Sequence, residues 1–256
     1  MFKKLLIMAA ILLSIPAHSE PITLTKDNLV SINSQVDSRS VTEASIAIQK
    51  LNASESKDPI YLVLNTPGGS VFDGIEFIRY AKSSRRPVHT ITLFAASMGF
   101  QIVEALPGTR YIAESGVLMS HRAATGGLSG QFPGELNVRL DFLGEVTREL
   151  DEGVAKRAGM SLKQYQDLIH DEYYATPEKA IKGKFADKKA EVKCDDSLNG
   201  TYLISVPTPF GTVNVEFAKC PLITGVVSAG FQKPSDLNKE KDALEVFTVQ
   251  NKNATK

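Results

Sequence analysis

PIYLVLN at 59–65 is apolar almost without interruption, and PVHTITLF at 87–94 reads as a second buried strand. A strand with one wet face alternates apolar and polar residues, so a run without alternation is buried on both faces. Each run leads into a corner and then a helix. TPGGS at 66–70 precedes a face of Val71, Ile75 and Ile78, and AAS at 95–97 precedes a helix from Met98 to Leu106, stopped at Pro107-Gly108. Strands alternating with helices in this way predict an α/β domain with a mainly parallel sheet.

The rest of the chain extends that pattern. NLVSINSQV at 28–36 reads as a first strand. A helix follows, opened by the capping pair Ser40 and Glu43, with Val41, Ala44, Ile48 and Leu51 on one face. RYIAE at 110–114 and GVLMSH at 116–121 add two strand-like pieces, and ATGGLSGQFPGE at 124–135 is a glycine-rich loop or mobile strand. A long helix then carries Leu136, Leu140, Leu143, Val146, Leu150 and Val154 on one stripe and ends at Gly159. Ser161 and Gln164 form a capping box for a short helix, and Thr176-Pro177 start another that stops near Gly183. Asp171 falls in the loop between these two.

From about Ala190 the character changes. GTYLISV and GTVNVEF, joined by the turn PTPFG, read as a hairpin bracketed by Cys194 and Cys220, and the stretch from Gln232 to the end is polar. The chain thus divides into 1–19, a domain over 20–189, and a small β-rich appendage with a polar tail over 190–256. The first of these pieces has paired lysines, an apolar run from Leu5 to Ile15, then Pro16, Ala17 and Ser19. That is the layout of a secretory signal peptide cleaved after Ser19, too short in its apolar part for the roughly 20 residues of a membrane span. An exported, periplasmic or secreted protein is expected, and two cysteines in an oxidising compartment suggest one Cys194–Cys220 disulfide.

Lysine plus arginine number 29 and aspartate plus glutamate 29, so no electrostatic case exists for a nucleic-acid partner. The histidines show no metal-ligand spacing, and neither metal nor cofactor is expected. A serine nucleophile needs a base, a group that orients the base, and donors for an oxyanion. Ser97 sits at a strand-to-helix corner, beside free N–H groups of a helix N-terminus. The N–H of Met98 and a glycine N–H of Pro67-Gly68-Gly69 are the candidate oxyanion donors. His121, at the end of a strand, is placed better as a base than His89 inside a strand or His170 beside Asp171.

Taken together, NTPGGSVFDGI, AASMG, GTRYI, LMSH, GGLSGQ and HDEYYATPEKAIKGKFADK resemble, in order and spacing, the Clp protease proteolytic subunit family. The resemblance runs from about Leu29 to Lys188. It implies a Clp/crotonase-like spiral of ββα units, with Ser97 as nucleophile, His121 as general base and Asp171 orienting the base. It further implies Gly69 and Met98 as oxyanion donors, Gly68 as turn support, and a peptide or unfolded-protein substrate. A homo-oligomer joined through the glycine-rich segment and the long helix is implied as well. Leu93-Phe94 and Arg122-Ala123 depart from the family pattern, and export makes an ATP-driven unfoldase partner doubtful. Three other readings stand beside the serine endopeptidase: a catalytically silent assembly or binding protein, a signal-peptide-peptidase-like hydrolase using Ser97 with Lys156, and an acyl-CoA enzyme of the same fold.

Overall fold

The computed structural model describes residues 21–127 and 129–232. The leader-like segment 1–19 and the polar tail beyond Gln232 lie outside the described residues. Seven strands and three helices build the first part of the chain: β1 (Ile22–Leu24), β2 (Leu29–Ile32), α1 (Ser38–Asn52), β3 (Ile60–Thr66), α2 (Val71–Lys82), β4 (Val88–Ala96), α3 (Met98–Ala105) and β5 (Arg110–Ser120), with β6 (Tyr173–Ala175) and β7 (Lys188–Ala190) arriving later. The sheet order is β2-β3-β4-β5-β6, with β7 also pairing β5. All these pairings are parallel except β5 with β6. An α/β domain with a mainly parallel sheet is therefore what the chain forms.

The unalternating runs are explained by what lies on each face. Successive strand residues point to opposite sides, and in β3 both sides are covered. Leu62 and Leu64 pack with Ile48, Phe77, Phe100 and Ile102 from the helical side. Val63, with Ile91 of β4, packs instead against Leu24, Leu198 and Cys220. The second cover comes from the two ends of the chain. β1 pairs in parallel with β8 (Val192–Cys194), and Cys194 is bonded to Cys220 with Cα atoms 6.0 Å apart. Residues past 190 thus close the far face of the sheet.

Local signals settle the helix boundaries. Helix α1 begins three residues earlier than the Ser40–Glu43 pair implies: Asp37 is the N-cap and accepts from the Ser40 N–H, while the Ser40 hydroxyl accepts from the Asp37 N–H. Ser40 is the second member of the capping box, not the first. The long helix is α4 (Gly134–Ala158), ended by Gly159 at φ 73°. Only its last turns, at Val154, Ala155 and Ala158, are buried. Leu140 and its neighbours Val138 and Phe142 are exposed, although Phe142 stacks on Phe72 of α2 at 5.9 Å. α5 (Leu162–Leu168) has the Ser161–Gln164 box, and α6 (Pro177–Lys182) has proline in its first turn.

The ends of α3, α4 and β5 meet β7 in a buried ion cluster. Arg110 bonds both Glu104 and Asp187, and Arg157 donates to the backbone carbonyls of Glu104, Leu106 and Gly108. Burial pushes the Glu104 carboxyl up to about 8, against the pull of Arg110 and Arg157, and its Oε1 has no hydrogen-bond partner among the described residues.

The appendage is a three-stranded antiparallel sheet rather than a hairpin. β9 (Thr201–Thr208) and β10 (Gly211–Ala218) are joined as the turn residues foretell, and β11 (Val226–Gln232) adds to the other side of β10. VVSAGFQ is not legible as a strand because Ala229 and Gly230, poor strand formers, interrupt it. RYIAE and GVLMSH are likewise one continuous strand, β5, with its register against β4 shifted near Phe94.

Candidate active site

Strands β4 and β5 are parallel neighbours, with Ala96 opposite Met119. Their carboxyl ends therefore open side by side, which is where open α/β sheets place their ligand sites. Ser97 is the residue directly after β4 and caps α3; His121 is the residue directly after β5. Nε2 of His121 lies 2.8 Å from Oγ of Ser97. The Ser97 N–H donates to the Met119 carbonyl at 2.9 Å, which ties the corner to the strand that carries the histidine.

The corner itself is strained. Ser97 has φ 55° and ψ −118°, a conformation rare for a residue with a Cβ. Such a backbone turns the side chain out of the strand line while the chain reverses into α3. Small neighbours make the reversal possible: a Cβ on Gly99 would stand 2.5 Å from Cγ2 of Thr66.

The second loop is Thr66 to Ser70. The Gly68 N–H donates to the Thr66 hydroxyl, and Gly68 has φ 92°. A Cβ there would lie 2.6 Å from both the Ala96 carbonyl oxygen and Cβ of Ser97, so only glycine allows this loop against the serine. The loop is fastened from outside by Val36, which donates to the Gly68 carbonyl and accepts from the Ser70 N–H, both at 2.8 Å. Those two bonds leave the Gly69 N–H out of the bridge. Gly69 and Met98 thus belong to two loops that meet at Ser97, Gly68 being the point of contact.

Asp171 is placed differently from expectation. Ser120 is opposite Tyr173 in the antiparallel β5–β6 pair, so Asp171 comes back alongside the end of β5. Its carboxylate, however, is 93% exposed and lies 2.7 Å from Nδ1 of His170. Among the described residues no hydrogen bond joins Asp171 to His121. The structure brings Ser97 and His121 together and leaves the carboxylate of Asp171 turned outward onto His170.

The other candidates fall elsewhere. His89 is half-buried, accepts from the Thr109 N–H at 2.9 Å and packs between Tyr61 and Tyr111; burial lowers its pKa. Lys156 is exposed on α4 and has no hydrogen bond to Ser97. A cavity of about 940 Å³ between α2, α3 and α4 is lined by Lys156 but by neither Ser97 nor His121, so it is not where the serine chemistry lies.

Two residues escaped the sequence reading. Oγ of Ser120 and the hydroxyl of Tyr165 are 2.7 Å apart and both fully buried. This bond pins α5 to the strand end just before His121, and burial raises the Tyr165 phenol well above its usual range. No local pattern marks such a pair, since its members are 45 positions apart.

A serine and a histidine in hydrogen-bond contact at the carboxyl edge of a parallel sheet, with backbone N–H groups beside them, define a serine-hydrolase type of site. A sequence model described as Clp protease matches residues 19–192. The chain is also 26% identical over 170 residues to proteins named ATP-dependent Clp protease proteolytic subunit. They come from Streptococcus pyogenes serotype M5 (strain Manfredo), Streptococcus equi subsp. equi (strain 4047) and Streptococcus equi subsp. zooepidemicus (strain H70). Each alignment covers 66% of this chain and 87% of the relative. The chain belongs to the Clp protease family, and membership implies a serine peptidase.

Proposed function

We propose that this protein is a serine endopeptidase that cleaves short or unfolded polypeptides through an acyl-enzyme. The observation that carries the reading is the 2.8 Å contact between Nε2 of His121 and Oγ of Ser97 at a strained helix N-terminus. His121 takes the Ser97 proton as Oγ attacks the scissile carbonyl carbon, and the oxyanion is held by the N–H groups of Gly69 and Met98. The same histidine returns the proton to the departing amine. Water then attacks the acyl ester by the reverse route and restores Ser97.

Asp171 is assigned as the residue that orients His121, after a side-chain rotation away from His170. The assembly is proposed to be a homo-oligomer joined through the glycine-rich segment and α4, whose exposed Val138, Leu140 and Phe142 support that role. Export to the periplasm or beyond, on the strength of the Lys3-Lys4 and Leu5–Ile15 segment, completes the reading. An ATP-driven unfoldase partner is left out for the same reason.

Fluorophosphonate labelling of the chain lacking residues 1–19, read by intact mass beside Ser97→Ala, tests the proposal. One adduct on the parent and none on the variant is expected. No adduct on a folded parent overturns it.

A further inference from the structure

The segments that carry Ser97, His121 and Asp171 meet behind the site on one buried aromatic cluster. Phe185 holds its centre, with ring centroids 5.6 Å from Phe100, 6.4 Å from Tyr165 and 5.3 Å from Tyr173. Phe100 stands three residues beyond Ser97 in α3, and Tyr173 stands two beyond Asp171 in β6. The segment of His121 joins by a hydrogen bond instead. Ser120, the residue before it, has its Oγ 2.7 Å from the Tyr165 hydroxyl. Tyr165 is thus the member of the cluster that reaches the strand end carrying the base.

What this bond supplies is direction more than stability. Two buried hydroxyls that bond each other roughly recover what they lost on leaving water, and an apolar pair of the same shape serves a core nearly as well. The end of β5 has few other restraints. Its last register partner in β4 pairs at Met119, and β6 holds it over three residues only, Leu118 to Ser120. Successive strand side chains point to opposite faces, so a roll of the strand at Ser120 turns His121 through the same angle. The tether resists that roll: Tyr165 is 0% exposed, its ring is seated on Phe185, and its phenol keeps its proton. Burial, with the carboxyls of Asp151 and Glu104 nearby, disfavours a phenolate there.

We propose that Tyr165 is a positioning residue for the hydrolytic site, which through Ser120 sets the direction of the His121 ring toward Ser97. This role rests on the reading of Ser97 and His121 as nucleophile and base. Neither Tyr165 nor Ser120 touches substrate. Their effect comes from geometry, since a misplacement of about 1 Å at a reacting group costs on the order of a hundredfold in rate.

A double-mutant cycle in the full chain tests the assignment. Tyr165→Phe keeps the ring on Phe185 and removes only the tether, and Ser120→Ala removes its other end. Each is expected to lower kcat on a short peptide by about ten- to a hundredfold, with KM within about twofold of the parent. The double variant leaves neither hydroxyl unpaired. It should unfold near the parent temperature and lose no more kcat than either single variant, because one bond is shared. Imidazole ¹⁵N signals of His121 report the geometry without turnover. They should move in Tyr165→Phe toward their position in Ser97→Ala, while those of His89 stay in place. Folded variants with parental kcat, losses that multiply in the double variant, or unmoved His121 signals each overturn the proposal. A parent that cleaves no peptide and takes up no fluorophosphonate overturns the reading of the site instead. The histidine signals then still decide whether Tyr165 positions the ring.

Discussion

The carboxylate of Asp171 is bonded to Nδ1 of His170 at 2.7 Å, while His121, which it is assigned to orient, is bonded to Ser97. His170 therefore competes with His121 for the same carboxylate. If Asp171 works as proposed, Asp171→Asn lowers kcat by about a thousand- to ten-thousand-fold, on the precedent of other triads. His170→Ala releases the carboxylate and is expected to leave kcat unchanged or higher. Steady-state assays of both variants on one short peptide check this. A loss below tenfold in Asp171→Asn shows that Ser97 and His121 act as a pair.

A Cβ on Gly68 would fall 2.6 Å from Cβ of Ser97, so the loop that carries Gly69 cannot accept a side chain at 68. Gly68→Ala places a methyl 2.6 Å from the Ala96 carbonyl oxygen at φ 92°. The left-handed backbone alone costs about 1–2 kcal/mol, and relief of the clash moves the oxyanion donors. Turnover should fall by about a hundredfold or more, with a smaller effect on peptide binding. Separate kcat and KM values give the answer.

Glu104 makes stability depend on pH. Its folded pKa of about 8 lies above the ordinary value of 4.5, so the folded state holds the proton more tightly than the unfolded chain. The stability contributed is fully present below about 4.5 and is lost as pH rises toward 8. The slope should be on the order of 1 kcal/mol per pH unit. Glu104→Gln should flatten it. Asp187, with its pKa lowered despite desolvation by its bonds to Arg110, acts in the opposite sense but only below its ordinary value of 3.8. Thermal unfolding of parent and variant between pH 5 and 8 separates the two.

The disulfide closes a separation of 26 residues. Loop closure of that length in the unfolded chain is worth roughly 3 kcal/mol. Cys194→Ser with Cys220→Ser should cost about that much stability and loosen the cover over Val63 and Ile91. Ser97 and His121, supported from the helical side, should still react with fluorophosphonate. Chemical denaturation and labelling of the double variant test both statements.

Much of the domain was legible because its signals are local. Pro59–Asn65 is apolar on both strand faces, Pro87–Phe94 reads as a second buried strand despite Thr90 and Thr92, Gly159 ends a helix, and Ser161 with Gln164 starts one. The cap of α1 was misplaced by three residues, since Ser40 fits either place in a capping box and only Asp37 supplies the first. Local sequence hides β11 and divides β5 in two. In both, pairing with a neighbouring strand supplies what the composition lacks.

Ser97 and His121 were picked out from their places at strand ends, and parallel pairing of β4 with β5 is enough to bring those ends together. The periodicity of the chain by itself determined the α/β class, the strand-to-helix corners and the glycines on which the serine loop depends, because each follows from residues within a few positions. Tertiary structure alone decided that residues past 190 seal the far face, that Tyr165 braces Ser120, and that Asp171 faces His170. Each of these rests on contacts between distant segments or on a side-chain rotation, and neither leaves a mark in local sequence.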